Sequence, residues 1–199
     1  MTDEKTNPTN AQREYDFALI VGNVGELNDA VENALFEAGC DDATASIRYG
    51  LLYLEFSRVS SSFKEAILSA IRDVRKANIG AEVLRVDECN LVTAAEIARR
   101  IQRTRQLVFQ YITGTRGPGG FPPPECHLTE GRPLWAWCAV SYWLAQNDIL
   151  KPEEGWNAEA VAAINNFLEA ARQKRRNAAL IQEIHLGLDP EHIGSSCDA

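Results

Sequence analysis

The chain has 199 residues, of which 45% are hydrophobic and 24% are charged, and its formal net charge is −8. These values are typical of a globular protein with one ordinary domain or two small ones, and they exclude a disordered chain. No apolar run approaches the length of a membrane span and the N-terminus is polar and acidic, so we expect neither a signal peptide nor a membrane anchor. The five scattered cysteines predict free thiols in a cytoplasmic protein.

The first half of the chain alternates between strand-like and helix-like patterns after a polar tail at residues 1–13. Runs rich in β-forming residues alternate with runs whose apolar residues recur at helical spacing, and glycines or capping residues separate them. The predicted elements are strands at 15–21, 43–49, 51–59 and 81–86, and helices at 26–38 and between the capping residue Ser62 and Gly80.

These elements follow one another in the order β-α-β-β-α-β. Gly39 stands where a helix C-cap belongs, and Tyr49-Gly50 lies between two extended runs, which predicts a hairpin. Right-handed crossovers then give a four-stranded antiparallel sheet with both helices on one face. The sequence therefore predicts an α+β protein with a ferredoxin-like βαββαβ sandwich over residues 14–89.

Residues 91–114 have a different sequence pattern from the predicted sandwich that precedes them. A T-x-x-E box at Thr93 opens a short helix whose apolar residues face one way while Arg99 and Arg100 face the other. Thr104 is placed to cap a second helix. Two short helices joined by a tight turn have the geometry of a helix-turn-helix.

Charge is distributed unevenly along the chain. The segments 1–90, 91–147 and 148–199 carry net charges of −7, +3 and −4. Such an asymmetry points to contact with a polyanion through one segment. A surplus of three charges is small enough to arise by chance, so charge by itself leaves the question open.

The run LVTAAEIARRIQRTRQLVFQYITG, followed by FPPP and by RPLWAWCAVSYWL, resembles the winged helix-turn-helix of MerR-type regulators and phage excisionases. The resemblance covers residues 91–147 and implies a DNA-binding domain at 90–148. It also implies a recognition helix, a wing formed by the Gly/Pro loop, and a short strand bearing Arg and Trp. Gln102 departs from the group, which often has Gly at this position of the turn. The difference matters because a left-handed backbone costs more energy for Gln than for Gly.

The expected function of each part follows from the chemistry of duplex DNA. The N-terminal residues of a recognition helix enter the major groove, where Arg binds guanine and Gln binds adenine. Backbone N–H groups at the helix start bind phosphate, wing glycines allow close approach to the backbone, and an arginine on the next wing strand adds a phosphate contact. The expected DNA-binding residues are Arg103, Thr104, Arg105, Gln106, Gln110, Thr115, Arg116, Gly119 and Arg132. The alternative is a solvated helical hairpin that serves protein contacts.

The C-terminal part reads as a linker and one long helix at 149–188, with the helix at 157–188, and a mobile tail at 189–199. An apolar stripe on this helix must be buried on its own domain or on a second subunit. Because regulators usually dimerise to read two half-sites, we expect a homodimer. The basic cluster at 172–176 either contacts the flanks of the DNA or is a solvated face.

Other candidate sites are weaker. Cys126, His127 and Cys138 lack the paired spacing of zinc ligands, so we expect no metal. The aromatic residues after the wing could stack on bases, but in so small a module we expect them in the core, with the first two in a strand; they are Trp135, Trp137, Tyr142 and Trp143. The G-x-x-G loop at 22–25 faintly resembles ACT-type amino-acid sensors, although a plain turn explains it better.

No catalytic motif is present, so we expect neither enzyme activity nor a cofactor. The sequence predicts a sequence-specific transcriptional regulator whose partner is double-stranded DNA, with a small-molecule effector and a protein partner left open. The alternative is a protein-interaction adaptor, such as an antitoxin-like partner, in which DNA binding is secondary.

Overall fold

The computed structural model describes residues 12–188. The strands are β1 Arg13–Gly22, β2 Ala43–Arg48, β3 Leu51–Ser60, β4 Glu82–Val86, β5 Leu91–Val92 and β6 Trp135–Ala136. The helices are α1 Asp29–Ala38, α2 Phe63–Lys76, α3 Ala94–Arg100, α4 Arg105–Ile112, α5 Trp137–Gln146, α6 Pro152–Arg176 and α7 Ala178–Leu188. The predicted tail at 189–199 and all but the last two residues of the tail at 1–13 lie outside the described residues, and Arg13 already belongs to β1.

The first four strands form one antiparallel sheet in the order β2-β3-β1-β4. α1 connects β1 to β2, the hairpin turn connects β2 to β3, and α2 connects β3 to β4. The predicted α+β class and the β-α-β-β-α-β order of elements are therefore confirmed. β5 and β6 form a separate two-stranded ladder further along the chain.

One face of the sheet carries the core because strand side chains alternate between its two sides. Leu19, Leu54 and Phe56 are at most 2% exposed and share one apolar cluster with Leu35 of α1 and Ile67 of α2. Residues of both helices therefore pack against this face of the sheet. The opposite face carries residues such as Asp16, Glu55 and Ser57, and no helix among residues 12–188 covers it.

Local hydrogen bonds set the ends of these elements. α1 begins at Asp29, three residues later than predicted, because Asn28 caps it by accepting a hydrogen bond from the backbone N–H of Val31 at 3.1 Å. The predicted hairpin is present, and both Tyr49 and Gly50 have positive φ, as a two-residue turn of type I′ requires.

The C-terminal region differs from the single helix predicted at 157–188. α6 begins five residues earlier, at Pro152, because proline suits the first turn of a helix, and Asn157 lies inside it. The helix ends at Arg176. The next residue, Asn177, accepts a hydrogen bond from the N–H of Leu180 at 3.1 Å through its side chain and so caps the start of α7.

α6 connects the two halves of the protein. Val161 and Leu168 belong to the core of the sheet, whereas Ala158 belongs to a second core that contains α3, α4 and α5. Asn165 lies against the outer edge of β4, where its Oδ1 accepts from the N–H of Val86 at 2.8 Å and its Nδ2 donates to the Val86 carbonyl at 3.1 Å. This side chain takes the place of a neighbouring strand. None of the helices in residues 12–188 combines the length and apolarity that a membrane crossing requires.

Candidate nucleic-acid interface

α3 and α4 form two short helices with the caps that the sequence predicts. Thr93 Oγ1 accepts from the N–H of Glu96 at 3.2 Å, and Thr104 Oγ1 accepts from the N–H of Leu107 at 3.2 Å. Between the helices, Gln102 has a φ of 53°, so glutamine occupies the left-handed position where the resembling group often has glycine. Its side chain is exposed, and the N–H of Arg103 donates to the Ala98 carbonyl at 2.9 Å to close the turn.

The inner sides of the two helices are held by a compact core. Ile97 and Val108 are fully buried, and Tyr111 packs on the ring of Trp143 with a centroid distance of 5.5 Å. Trp135 and Leu144 complete this core from the chain that follows the loop. α4 is therefore fixed in orientation, with its opposite face turned to solvent.

α4, its N-cap Thr104 and the turn before it carry five of the nine residues that the sequence singled out. Arg103, Thr104, Arg105 and Gln106 are exposed, and Gln110 is half-buried. Sequence reasoning missed Phe109, whose side chain is 62% exposed on the same helix. Its position four residues after Arg105 was the available signal, because residues four apart share a helix face.

This region is the positive part of the protein. Residues 97–124 contain five arginines and neither Asp nor Glu. Arg99, Arg103 and Arg105 line one shallow groove together with Thr93 and Glu96. Among residues 12–188, the ion pairs involve none of the following four arginines: Arg103, Arg105, Arg116 and Arg132.

Glu96 neutralises part of the charge of α3. Hydrogen bonds from Arg99 and then from Arg100 lower the pKa of Glu96 to about 2, so this carboxylate stays ionised at neutral pH. Arg99 is held in this pair on the surface, at 2.6 Å from Glu96. It is therefore less available to a ligand than Arg103 or Arg105.

Arg100 does not face solvent with Arg99, which corrects the prediction. Its guanidinium donates to Glu88 at 3.1 Å and to the Cys89 carbonyl at 3.1 Å, and it stacks on the ring of Trp137 at 4.8 Å. The pattern of the helix could not reveal these partners because they come from the linker before α3 and from α5. Arg100 thus ties α3 to the linker.

The loop after α4 folds back onto the helix end. The N–H of Arg116 donates to the Gln110 carbonyl at 3.2 Å, so Thr115 and Arg116 lie at the C-terminal end of α4. Trp143 Nε1 donates to the Gly119 carbonyl at 3.0 Å, and the ring of Phe121 packs edge-on against Trp143. These contacts give the Gly/Pro loop a defined path beside α4.

Arg132 is exposed but does not lie on a strand, which corrects the expected wing strand. It follows a turn at 128–131 inside a small hairpin closed by hydrogen bonds from Glu125 N to Leu134 O at 2.8 Å and from Leu134 N to Cys126 O at 3.1 Å. The paired strand β6 begins only at Trp135 and pairs with β5.

The aromatic residues after the wing were only partly predicted. Trp135, Trp137 and Trp143 are buried as expected, but Trp137 begins α5 instead of continuing a strand. Tyr142 is 52% exposed, which contradicts its predicted place in the core. Tyr142 lines a shallow groove with Gly120 and Pro122 of the Gly/Pro loop and Glu159 of α6, so its ring is only partly covered.

No group of three or more His, Cys, Asp or Glu within residues 12–188 is arranged to hold a metal ion. His127, which the sequence placed beside Cys126 as a weak candidate, instead pairs through Nδ1 with Glu130 at 2.7 Å. The chain matches no protein-family model, no curated protein and no solved structure. The resemblance to winged regulators therefore depends on residues 91–147 themselves.

Proposed function

We propose that the protein is a sequence-specific DNA-binding transcriptional regulator that acts as a homodimer. In this proposal residues 90–148 are a winged helix-turn-helix, α4 is its recognition helix, and the Gly/Pro loop is its wing. Residues 14–89 form a ferredoxin-like sandwich that supplies dimer contacts or a sensor surface. The protein binds double-stranded DNA in the cytoplasm.

The observation that carries the proposal is the exposed start of α4. Arg103 and Arg105 are exposed, have no acidic partner among the described residues, and stand in a segment without Asp or Glu. An eight-residue helix is about 12 Å long and about 10–12 Å across, which suits a major groove about 12 Å wide. Free guanidinium groups at the leading end of such a helix suit guanine edges and phosphates.

The surrounding contacts support separate roles for the two ends of α4, one in reading bases and the other in binding the DNA backbone. Arg105 and Gln106 occupy the first turn of α4, where base edges are read. Thr115 and Arg116 lie at the other end of the helix and would follow the sugar-phosphate backbone, with Arg132 further along the hairpin. The acidic remainder of the protein opposes nonspecific adhesion to DNA through other surfaces.

The test measures the affinity of the protein for the promoter region of its own gene by fluorescence anisotropy at 50–300 mM salt. The dependence of affinity on salt reports the number of phosphate contacts and so separates them from base contacts. Arg105→Ala should weaken binding by about 1–3 kcal/mol and relax sequence preference. Arg116→Ala should weaken binding to all sequences and reduce the salt slope by about one.

Arg72→Ala is the matched control, because Arg72 is an exposed arginine on α2 in the other half of the protein. It should leave both affinity and salt slope unchanged. Equal retention of DNA by the wild type and by Arg105→Ala and Arg116→Ala would refute the proposal, provided that all variants unfold at the wild-type temperature.

An adaptor function is the second candidate, and the C-terminal helix favours it. α7 contains no buried residue, and its apolar side chains Leu180 and Ile184 are each 46% exposed. A protein partner would bury them. Deletion of residues 178–199 should abolish partner binding in that case and leave DNA affinity intact.

A further inference from the structure

The two outer edges of the four-stranded sheet are treated differently. At β4 the edge is closed, because α6 lies along it and Asn165 bonds both the N–H and the carbonyl of Val86. At β2 no strand or helix among the described residues pairs with the outer edge. Proteins usually blunt an exposed edge with Pro, Lys, a bulge or a covering segment. β2, with the sequence ATASIR, has none of these and carries a single charge at its last residue.

The register of the hairpin identifies the groups that β2 offers. Asp42 and Ser57 form a hydrogen-bonded pair, with Ser57 N donating to Asp42 O at 3.1 Å, so the even-numbered residues of β2 direct their backbone groups toward β3. Ala43, Ala45 and Ile47 therefore direct their N–H and C=O groups outward. Three donors and three acceptors stand in a row along this edge.

The geometry points to a second copy of this chain as the occupant of the edge: we propose that β2 pairs with β2 of another copy in antiparallel orientation, centred on Ala45. This proposal rests on the homodimer of the proposed function and assigns its interface. A twofold axis through Ala45 places Ala43 opposite Ile47, and each such pair can exchange two hydrogen bonds. The two sheets then join into one sheet of eight strands.

The side chains are complementary in this register. Thr44 lies opposite Ser46 on the open face, and Ala43 lies opposite Ile47 on the helix side. Arg48, at the end of one strand, lies opposite Asp42 of the other copy, which already binds Arg58 at 2.7 Å, and Arg48 itself binds Glu55 at 3.1 Å. The register adds no like-charge contact, because the two Arg48 side chains lie at opposite ends of the paired strands.

Strand pairing by itself is too small for a stable dimer, so apolar contacts must add to it. Phe36 of α1 is 66% exposed and lines a groove beside the edge with Ala43 and Ala45. Ile47 is 38% exposed on the same side. The twofold axis would bring these side chains from both copies together beneath the joined sheets and remove them from water.

Analytical ultracentrifugation of the full chain without DNA, over a concentration series, tests the inference. The wild type should dimerise. Ala45→Pro removes an outward N–H and leaves the hydrogen bonds between β2 and β3 intact. Phe36→Glu places one carboxylate from each copy beside the paired β2 strands. Each substitution should raise the dimer dissociation constant at least tenfold. The control Val59→Glu changes a 57% exposed residue of the open face and should leave it unchanged.

A wild-type chain that stays monomeric, or a dimer that both Ala45→Pro and Phe36→Glu leave intact, would overturn the assignment. Thermal unfolding confirms that the variants are folded, and Phe36→Glu decides the matter if Ala45→Pro unfolds. The outcome is separate from that of the DNA experiment. A monomer that binds DNA contradicts the interface and the homodimer but leaves DNA binding standing. A β2-linked dimer that does not bind DNA contradicts only the regulator function.

Discussion

Replacing Gly117 by alanine should loosen the loop that follows α4. Gly117 has a φ of 86°, and a Cβ at this position would lie 2.9 Å from Cδ1 and 3.1 Å from Cε1 of Tyr111. Tyr111 cannot retreat freely, because it is 9% exposed and packs against Trp143 at 5.5 Å. The substitution therefore adds a steric conflict to the cost of a left-handed backbone.

The two costs can be separated with a second glycine of the same loop. Gly120 has a φ of 66°, and a Cβ there would meet nothing within 4 Å. Gly120→Ala should lose about 1 kcal/mol for the left-handed conformation. Gly117→Ala should lose that amount and about 2 kcal/mol more for the overpacking against Tyr111.

Urea unfolding and thermal melting measure the difference. For a protein of this size, a loss of about 3 kcal/mol in unfolding free energy lowers the melting temperature by about 6–12 °C, and a loss of about 1 kcal/mol lowers it by about 2–4 °C. Equal destabilisation by Gly117→Ala and Gly120→Ala would refute the reasoning, since Tyr111 would then not hold the loop. If the loop is a DNA-binding wing, Gly117→Ala should also reduce DNA affinity at temperatures where it remains folded.

Three further predictions concern the sheet. Arg58→Met should lower the free energy of unfolding in urea by about 3–5 kcal/mol. The buried Arg58 binds Asp42 at 2.7 Å and Asp73 at 2.6 Å, and both acids would lose their partner. A variant as stable as the wild type would contradict this. Burial, and then the charge of Asp73, raise the pKa of Cys40 from 9.0 to about 11. The contribution of the protonated Cys40 thiol to the free energy of unfolding is thus fully present below pH 9 and is lost between pH 9 and 11. Alkylation at pH 8, followed by mass spectrometry, should modify the exposed Cys89 but not Cys40. Asn165→Leu should cost about 1–3 kcal/mol of unfolding free energy by leaving the edge groups of Val86 without partners, whereas Asn166→Leu, at an exposed position of α6, should cost little.

The first fold elements could be predicted because their signals are local. The alternation of side chains in β3, the turn at Tyr49-Gly50 and the threonine caps of α3 and α4 each depend on a few neighbouring residues. The same holds for the exposed face of α4, whose polar residues are read directly from helical spacing. The specific assignment of a winged helix-turn-helix and its DNA-binding role stays a prediction.

Features that depend on distant residues were missed. Arg100 was expected in solvent, but Glu88 and Trp137 lie close enough to bind it. Arg132 was expected on a strand, but hydrogen bonds from Glu125 and Leu134 place it beside a turn. Helical spacing could not show that α6 would run along β4, because that contact joins residues 79 positions apart.

By itself the amino-acid sequence determined the order of the elements, the caps that begin α3 and α4, and the location of the positive charge, since these follow from neighbouring residues. Only the tertiary structure decided which arginines have no acidic partner within residues 12–188, which edge of the sheet α6 closes, and which edge no other described element covers. The reason is physical: pairing and burial depend on side chains that folding brings together from far apart in the chain.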